Sequence, residues 1–245
     1  LRPDVIFHAA AQINVRCSVE DPPTDARVNI LGTIEMAHAA AQAGVKKIIF
    51  SSSGGVMYPE RFRPPYSEKI APEPISPYGI SKRSAEMYLD YEHSMHNIPY
   101  VSLRYANVYG PRQNSRGEAG VIAVFAERLL TSKPAVINGD GKQTRDFVYV
   151  GDVVRANMLA MQKSAVGVFN IGTGKQTDVN AIFRKLKKLT GSSQPEKHGA
   201  ACQGEVMRSA LDARKARAYL GWRPEVSLDE GLKKTVEWFA RHASK

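Results

Sequence analysis

Short apolar runs alternate with amphipathic stretches along the first part of the chain. "DVIFHAA" (Asp4 to Ala10) predicts a buried strand. "DARVNILGTIEMAHAAAQAG" (Asp25 to Gly44) predicts a long helix closed by its last glycine. "KKIIFSSS" (Lys46 to Ser53) predicts the next strand, "YGISKRSAEMYLDYEHSMHN" (Tyr78 to Asn97) the next helix, and "YVSLRYANVYG" (Tyr100 to Gly110) begins as a third strand. Strands that are apolar throughout belong to a parallel sheet covered on both faces. The order strand, helix, strand, helix, strand therefore predicts an α/β fold. Ligands of such sheets bind beyond the carboxyl ends of the strands. Ser53 and the loop from Asn107 fall there.

After Gly110 the pattern changes. A polar loop, "GPRQNSRGEAG", leads to a helix (Val121 to Leu130), then to "GDGKQTRDFVYV", a helix from about Gly151, and "GVFNIGTG" as a strand. Apolar residues at Val179, Ile182, Phe183, Leu186 and Leu189 make a helical stripe. Two more helices are expected near Asp212–Leu220 and Leu228–His242. This divides the chain into a sheet domain, residues 1–105, and a smaller α+β lobe, residues 106–245, with segments near 146–172 returning to the sheet domain.

Composition narrows the function class. The 245 residues are 43% hydrophobic and 24% charged, as in an ordinary globular protein. No apolar run approaches the ~20 residues of a membrane span. The only cysteines are Cys17 and Cys202, with no metal-ligand spacing, which fits a reducing cytoplasm and no metal site. The net charge of +10 is dispersed, and its densest cluster, "FRKLKKL", lies on an amphipathic stripe. It therefore predicts an anionic small substrate rather than nucleic acid. "GTGK" (Gly172 to Lys175) is not a phosphate loop: Phe169 stands where that loop needs glycine and Gln176 where it needs Ser or Thr.

The stretch "SPYGISK" (Ser76 to Lys82) carries the chemistry. Tyr78 and Lys82, four apart on a helix, project side by side. An ammonium beside a phenol lowers the phenol pKa and makes a usable base near neutrality. YxxxK alone is a weak pattern. It stands, however, with "HAAAQ" (His8 to Gln12), "SSSGG" (Ser51 to Gly55), "LRYANVYGPRQ", "GDGKQTRDFVYVGDV", "FNIGTG" and "LDARKARAYLGWRPEVSLDEGL", in this order. Together they resemble the extended short-chain dehydrogenase/reductase family, and within it the nucleotide-sugar epimerases of the UDP-glucose 4-epimerase type, over essentially the whole chain.

The resemblance implies a Rossmann-like parallel sheet, NAD as cofactor, a nucleotide-sugar substrate and a homodimer. It implies Tyr78 as catalytic base and acid, Lys82 as the residue that acidifies it and binds the nicotinamide ribose, and Ser53 as the partner of the sugar hydroxyl. Ala9, Ala10 and Ala11 would line the cofactor, with Asn29, Ser51 and Tyr105 nearby. Asn107, Val121, Arg145 and Arg208 would hold the nucleotide and its diphosphate. Ser209 falls where a large residue excludes N-acetyl sugars in some epimerases, so a small side chain there leaves room for them.

The departures are as informative. The family's glycine-rich GxxGxxG loop does not precede Asp4, which implies a partial Rossmann-like sheet with its first three strands missing. Poor NAD binding and self-association over a bare strand edge are the corresponding expectations. Cys202 stands where the diphosphate would take an arginine, and Asn138 where an aromatic often stacks on the base. The dehydratase branch carries an Asp-Glu pair after the catalytic Ser/Thr, and the decarboxylase branch a Glu; here Gly54 and Gly55 fill those places. Epimerisation at C4 is the most economical reaction. An inactive remnant that binds nucleotide-sugar or only self-associates is the second reading.

Overall fold

The computed structural model describes residues 2–116, 120–201 and 206–242. The chain opens with strand β1 (Val5–His8), helix α1 (Val15–Glu20) and helix α2 (Pro22–Ala26). A π-helical turn, Arg27–Leu31, runs on into α3 (Gly32–Ala43). The expected strand thus stops two residues early, at His8. The expected long helix starts before Asp25, because the Asp21 side chain caps it by accepting from Thr24 N at 3.1 Å.

Strand β2 (Lys47–Ser53), helix α4 (Pro77–His96) and strand β3 (Tyr100–Tyr105) follow. The third strand does not continue to Gly110. It breaks at Ala106, and β4 (Asn107–Tyr109) pairs with a later strand instead. Helix α5 (Val121–Leu130), strands β5 (Val136–Asn138), β6 (Thr144–Arg145) and β7 (Phe147–Tyr149), and helix α6 (Val150–Gln162) come next. The rest comprises β8 (Gly167–Ile171), β9 (Thr177–Asp178), α7 (Val179–Thr190), β10 (Lys197–Gly199), α8 (Arg214–Leu220) and α9 (Leu228–His242).

The central sheet is parallel, in the order β1-β2-β3-β8. Its strand residues alternate between two cores. Ile48 and Phe50 pack with Ala37, Ala40, Ala85 and Leu89 of α3 and α4. Ile49, Val101, Leu103 and Phe169 pack with Ala156 and Ala160 of α6 and with Leu220 and Trp222 at the end of α8. Burial on both faces is why these strands read as continuous apolar runs. A third core joins α5, α7 and α9 through Ile122, Phe125, Phe183, Leu186, Leu232 and Phe239. Leu189, expected in the apolar stripe of α7, is instead 40% exposed in its last turn, past the reach of that core.

Strands β6, β7 and β9 connect the sheet to this third core. Chain segment 206–211 threads between them: Thr144 N donates to Met207 O at 2.9 Å and Ser209 N to Thr144 O at 3.2 Å. Tyr66 bridges to Leu211, which ties the loop between β2 and α4 to the same segment.

Candidate active site

The stretch "SPYGISK" folds as its residue types require. Ser76 is the N-cap of α4, its hydroxyl accepting from Gly79 N at 3.2 Å, with proline at the first helical position. Gly79 allows a close approach: a Cβ there would lie 2.8 Å from Pro74 Cβ and 3.0 Å from Val56 O. This seats the first turn of α4 beside the end of β2. The Ser53 side chain lies close enough to the Tyr78 phenol to lower its pKa. One turn on, Lys82 is 4% exposed, and its Nζ donates to the Ser51 carbonyl at 3.0 Å and stands 4.7 Å from the Phe50 ring centroid.

Lys82 is not among the groups that lower the Tyr78 pKa here. Burial pushes the Tyr78 phenol up to about 12, with Ser53 lowering it and the Asp25 charge raising it. Lys82 is fastened to Ser51 rather than to the phenol oxygen, 5.9 Å from the Tyr78 ring centroid. Its own charge is weakened: burial pulls the ammonium down to about 8, against the charges of Asp25 and Glu86.

Two buried polar networks surround these groups. In the first, Asn29 Nδ2 donates to Gln12 O and to Asp25 Oδ1, both at 2.9 Å, while its Oδ1 accepts from Gln12 N at 3.0 Å. Asn29 lies in the π-helical turn, and widened turns of this kind are frequent at functional sites. In the second, Glu86 accepts from Ser52 Oγ at 2.7 Å and from Arg104 Nε and Nη2 at 2.8 and 2.6 Å. Arg104 Nη1 donates to Tyr58 OH at 2.8 Å, and that hydroxyl donates to Asn170 Oδ1 at 2.8 Å. Helix α4 is thereby bound to β2, β3 and β8 one turn beyond Lys82. The signal for this network was a lone arginine inside the apolar strand "YVSLRY" and a glutamate at i+4 from Lys82.

Residues 1–172 match the NAD dependent epimerase/dehydratase family. A UDP-glucose 4-epimerase of Mycolicibacterium smegmatis is 45% identical over 97% of this chain and 76% of its own length. A putative UDP-glucose 4-epimerase of Methanocaldococcus jannaschii is 46% identical over 96% of this chain and 76% of its own. The solved structure of the Thermotoga maritima UDP-glucose 4-epimerase with UDP-glucose superposes with a TM-score of 0.96 at 50% identity, covering 98% of this chain and 78% of that one.

The chain belongs to the NAD dependent epimerase/dehydratase family. It is an NAD-dependent epimerase of the nucleotide-sugar type.

The small residues Ala9 and Ala10 lie exposed and Ala11 half-buried just past the end of β1. Lys82 and Tyr78 offer a buried ammonium and a phenol. Such a donor set fits the nicotinamide-ribose half of NAD. Tyr105 stands opposite Ser53 in the sheet register, its hydroxyl 3.4 Å from Ser51 Oγ and within 3.1 Å of the Asn157 amide.

The residues assigned to the epimerase substrate gather around β6 and β7. Asn107 pairs with Phe147, Arg208 bridges to Thr144, and Ser209 lies buried in the next position. Arg145, half-buried, pairs with Thr177 and donates to the Thr144 carbonyl at 3.0 Å. Val121 opens α5. Cys202 lies outside the described residues. Asp146 is fully buried and is committed elsewhere: its carboxylate accepts from Thr173 N and Oγ1, Gly174 N and Leu211 N. "GTG" is thus the cradle of a protein carboxylate. A Cβ at Gly172 would lie 2.5 Å from Asp146 Oδ2.

Gly54 and Gly55 link the two groups. Gly54 N donates to Tyr105 O at 2.8 Å, and an added Cβ at Gly55 would stand 3.9 Å from Asn107 Oδ1. At Gly54 the Cβ would meet the Leu211 side chain at 2.4 Å. The space that a side chain at Gly54 would take is filled by Leu211, whereas Gly55 has no such neighbour.

Proposed function

We propose that this chain interconverts UDP-glucose and UDP-galactose through a 4-keto sugar and also accepts the N-acetyl analogues. Ser53 and Tyr78 brought together beside a buried Lys82, with two glycines rather than acids after Ser53, carry this reading. Tyr78 takes the proton from the sugar O4 and returns it to the same oxygen. Ser53 orients that hydroxyl. Lys82 supplies positive charge beneath the phenol and hydroxyl contacts to the cofactor ribose. NAD, held by Lys82, Tyr78, Asn29, Ser51, Tyr105 and the run Ala9 to Ala11, supplies the acceptor and donor of hydride. Asn107, Val121, Arg145 and Arg208 hold the nucleotide diphosphate, for which a guanidinium fork is suited. Ser209 leaves room for an acetamido group.

Incubating the protein with NAD and UDP-galactose, and separately with UDP-N-acetylgalactosamine, tests the reading by chromatography of the products. UDP-glucose and UDP-N-acetylglucosamine are the expected products. Binding of either substrate without turnover would replace the reading with that of an inactive nucleotide-sugar binder.

The chain is also read as a cytoplasmic homodimer. Helix α4 leaves Ile80, Met87, Tyr91 and Met95 exposed along one stripe. Among the described residues no helix is long and apolar enough to cross a membrane. Sedimentation of the wild type against Tyr91→Lys checks the dimer; identical masses would exclude this stripe.

A further inference from the structure

Helix α1 buries one side chain, and it is a serine. Val15 is half-buried, Val19 is 62% exposed, and Ser18 is fully buried where α1 packs on α4. A short helix docked for packing alone would turn an apolar side chain to its neighbour, since burying a hydroxyl is costly unless it is hydrogen-bonded. Ser18 uses its hydroxyl twice. It donates to the Val15 carbonyl at 2.6 Å and accepts from the main-chain N–H of Tyr78 at 3.1 Å.

The first turn of α4 needs that acceptor, because the opening N–H groups of a helix have no partner inside it. Pro77 has no N–H, Gly79 N donates to Ser76 Oγ, and Ile80 N donates to Ser76 O at 2.9 Å. The remaining donor of the turn is Tyr78 N, and its acceptor comes from α1. That helix is itself fixed. Asn14 caps it by accepting from Cys17 N at 2.8 Å, and Gln12 Nε2 donates to Asn14 O at 2.9 Å. Asn29 in turn holds the Gln12 main chain through both its N–H and its carbonyl. A fastened run thus leads from Ala11, read as lining the cofactor, to the backbone of Tyr78.

We propose that Ser18 is a positioning residue that fastens the main chain of Tyr78 to the segment beside the cofactor, so that the phenol is held in a set place relative to it. Its bearing on turnover rests on the reading of Tyr78 as the proton-handling group; the anchor itself does not.

Amide hydrogen exchange in protein carrying nitrogen-labelled tyrosine, with the Tyr78 signal assigned by its loss in Tyr78→Phe, tests the anchor without cofactor or substrate. The Tyr78 amide is expected to be protected in the wild type and to exchange about tenfold faster in Ser18→Ala. The amides of Tyr100 and Tyr105, in the central sheet, should keep their rates. In turnover of UDP-galactose, Ser18→Ala is expected to lower kcat by about 10- to 100-fold with KM unchanged, as for a displaced reacting group. Thr235→Val is the stability control: it removes an equally buried hydroxyl from α9, one that donates to Gly231 O at 2.7 Å, and its kcat should be that of the wild type. Should Ser18→Ala fail to fold, Ser18→Cys, which keeps the bulk and weakens the acceptor, is read in the same two ways. An unprotected Tyr78 amide in the wild type, or exchange that the Ser18 variant leaves unchanged, would overturn the proposal. So would a kcat that the variant keeps, or an equal loss of kcat in Thr235→Val. A wild type without turnover but with the exchange effect intact would count against the epimerase reading only.

Discussion

Lys82 Nζ is bonded to the Ser51 carbonyl at 3.0 Å, so the ammonium is anchored to the strand end and not to the phenol it serves. Burial depresses its pKa from 10.5 to about 8, which means that the folded state bears a cost for the charge. Below the folded pKa both states are protonated and that cost is present in full. As the pH rises from about 8 towards 10.5, the folded state gives up the proton first and the cost fades. Lys82→Met is therefore expected to abolish epimerisation yet raise stability at neutral pH by about 1–3 kcal/mol, less whatever the lost Ser51 bond contributed. The gain should shrink when urea unfolding is repeated near pH 10, by roughly the shift cited. A variant less stable than the wild type at both pH values would contradict the account.

Tyr78→Phe removes the proposed acid–base oxygen and leaves the ring in place. Loss of a positioned proton-transfer group is expected to lower kcat by about 100- to 10,000-fold. Ser53→Ala removes the hydroxyl proposed to orient the substrate beside Tyr78, with an expected loss of about 10- to 100-fold. Isothermal titration with UDP should give nearly unchanged affinities in both variants, because the residues proposed to hold the diphosphate, around β6 and β7, are untouched. A UDP affinity that falls in step with kcat would move these residues from catalysis to binding.

How much of this was readable beforehand depends on whether the cause is local. Helices α4, α5 and α9 were legible because their caps and apolar stripes are local features: Ser76 and Pro77 open α4, and α5 and α9 run from Val121 and Leu228 as the stripes predict. The break at Ala106 was not, because Asn107 leaves β3 to pair with Phe147, a partner forty residues away. Nor was the π-helical turn at Asn29, which accompanies contacts to Gln12, on another loop. Tyr78 and Lys82 could be named from spacing, and Ser53 from the resemblance, but not the charge states of Tyr78 and Lys82. Those depend first on burial in the folded chain and then on the charges of Asp25 and, for Lys82, Glu86.

Arg104 and Glu86 are both almost fully buried, and each depends on the other for its charge. Arg104→Met would leave the Glu86 carboxylate without its bidentate partner and Tyr58 without its donor. The expected loss is about 3–5 kcal/mol of stability in denaturant unfolding. Replacing both, Arg104→Met with Glu86→Leu, is expected to cost less than the single change, because no unpaired charge remains. The double-mutant cycle measures that coupling directly. Additive losses would mean that the pair contributes packing alone.

Gly54 tests whether the site has room for a dehydratase-type acid. Its Cβ would sit 2.4 Å from Leu211 Cδ1 and 2.9 Å from Cδ2, and Leu211 is fully buried, with its main-chain N–H held by Asp146. The side chain cannot swing into solvent, so Gly54→Ala overpacks the junction between the sheet and segment 206–211. A loss of about 1–3 kcal/mol is expected. Leu211→Ala alone should also destabilise, by leaving a cavity of about 2–5 kcal/mol. Combined, the two changes are expected to cost less than their sum, since the new methyl occupies part of the space that leucine vacates. Thermal unfolding of the four proteins reads this out. If Gly54→Ala proves neutral, Leu211 has another rotamer available, and packing no longer explains why glycine follows Ser53.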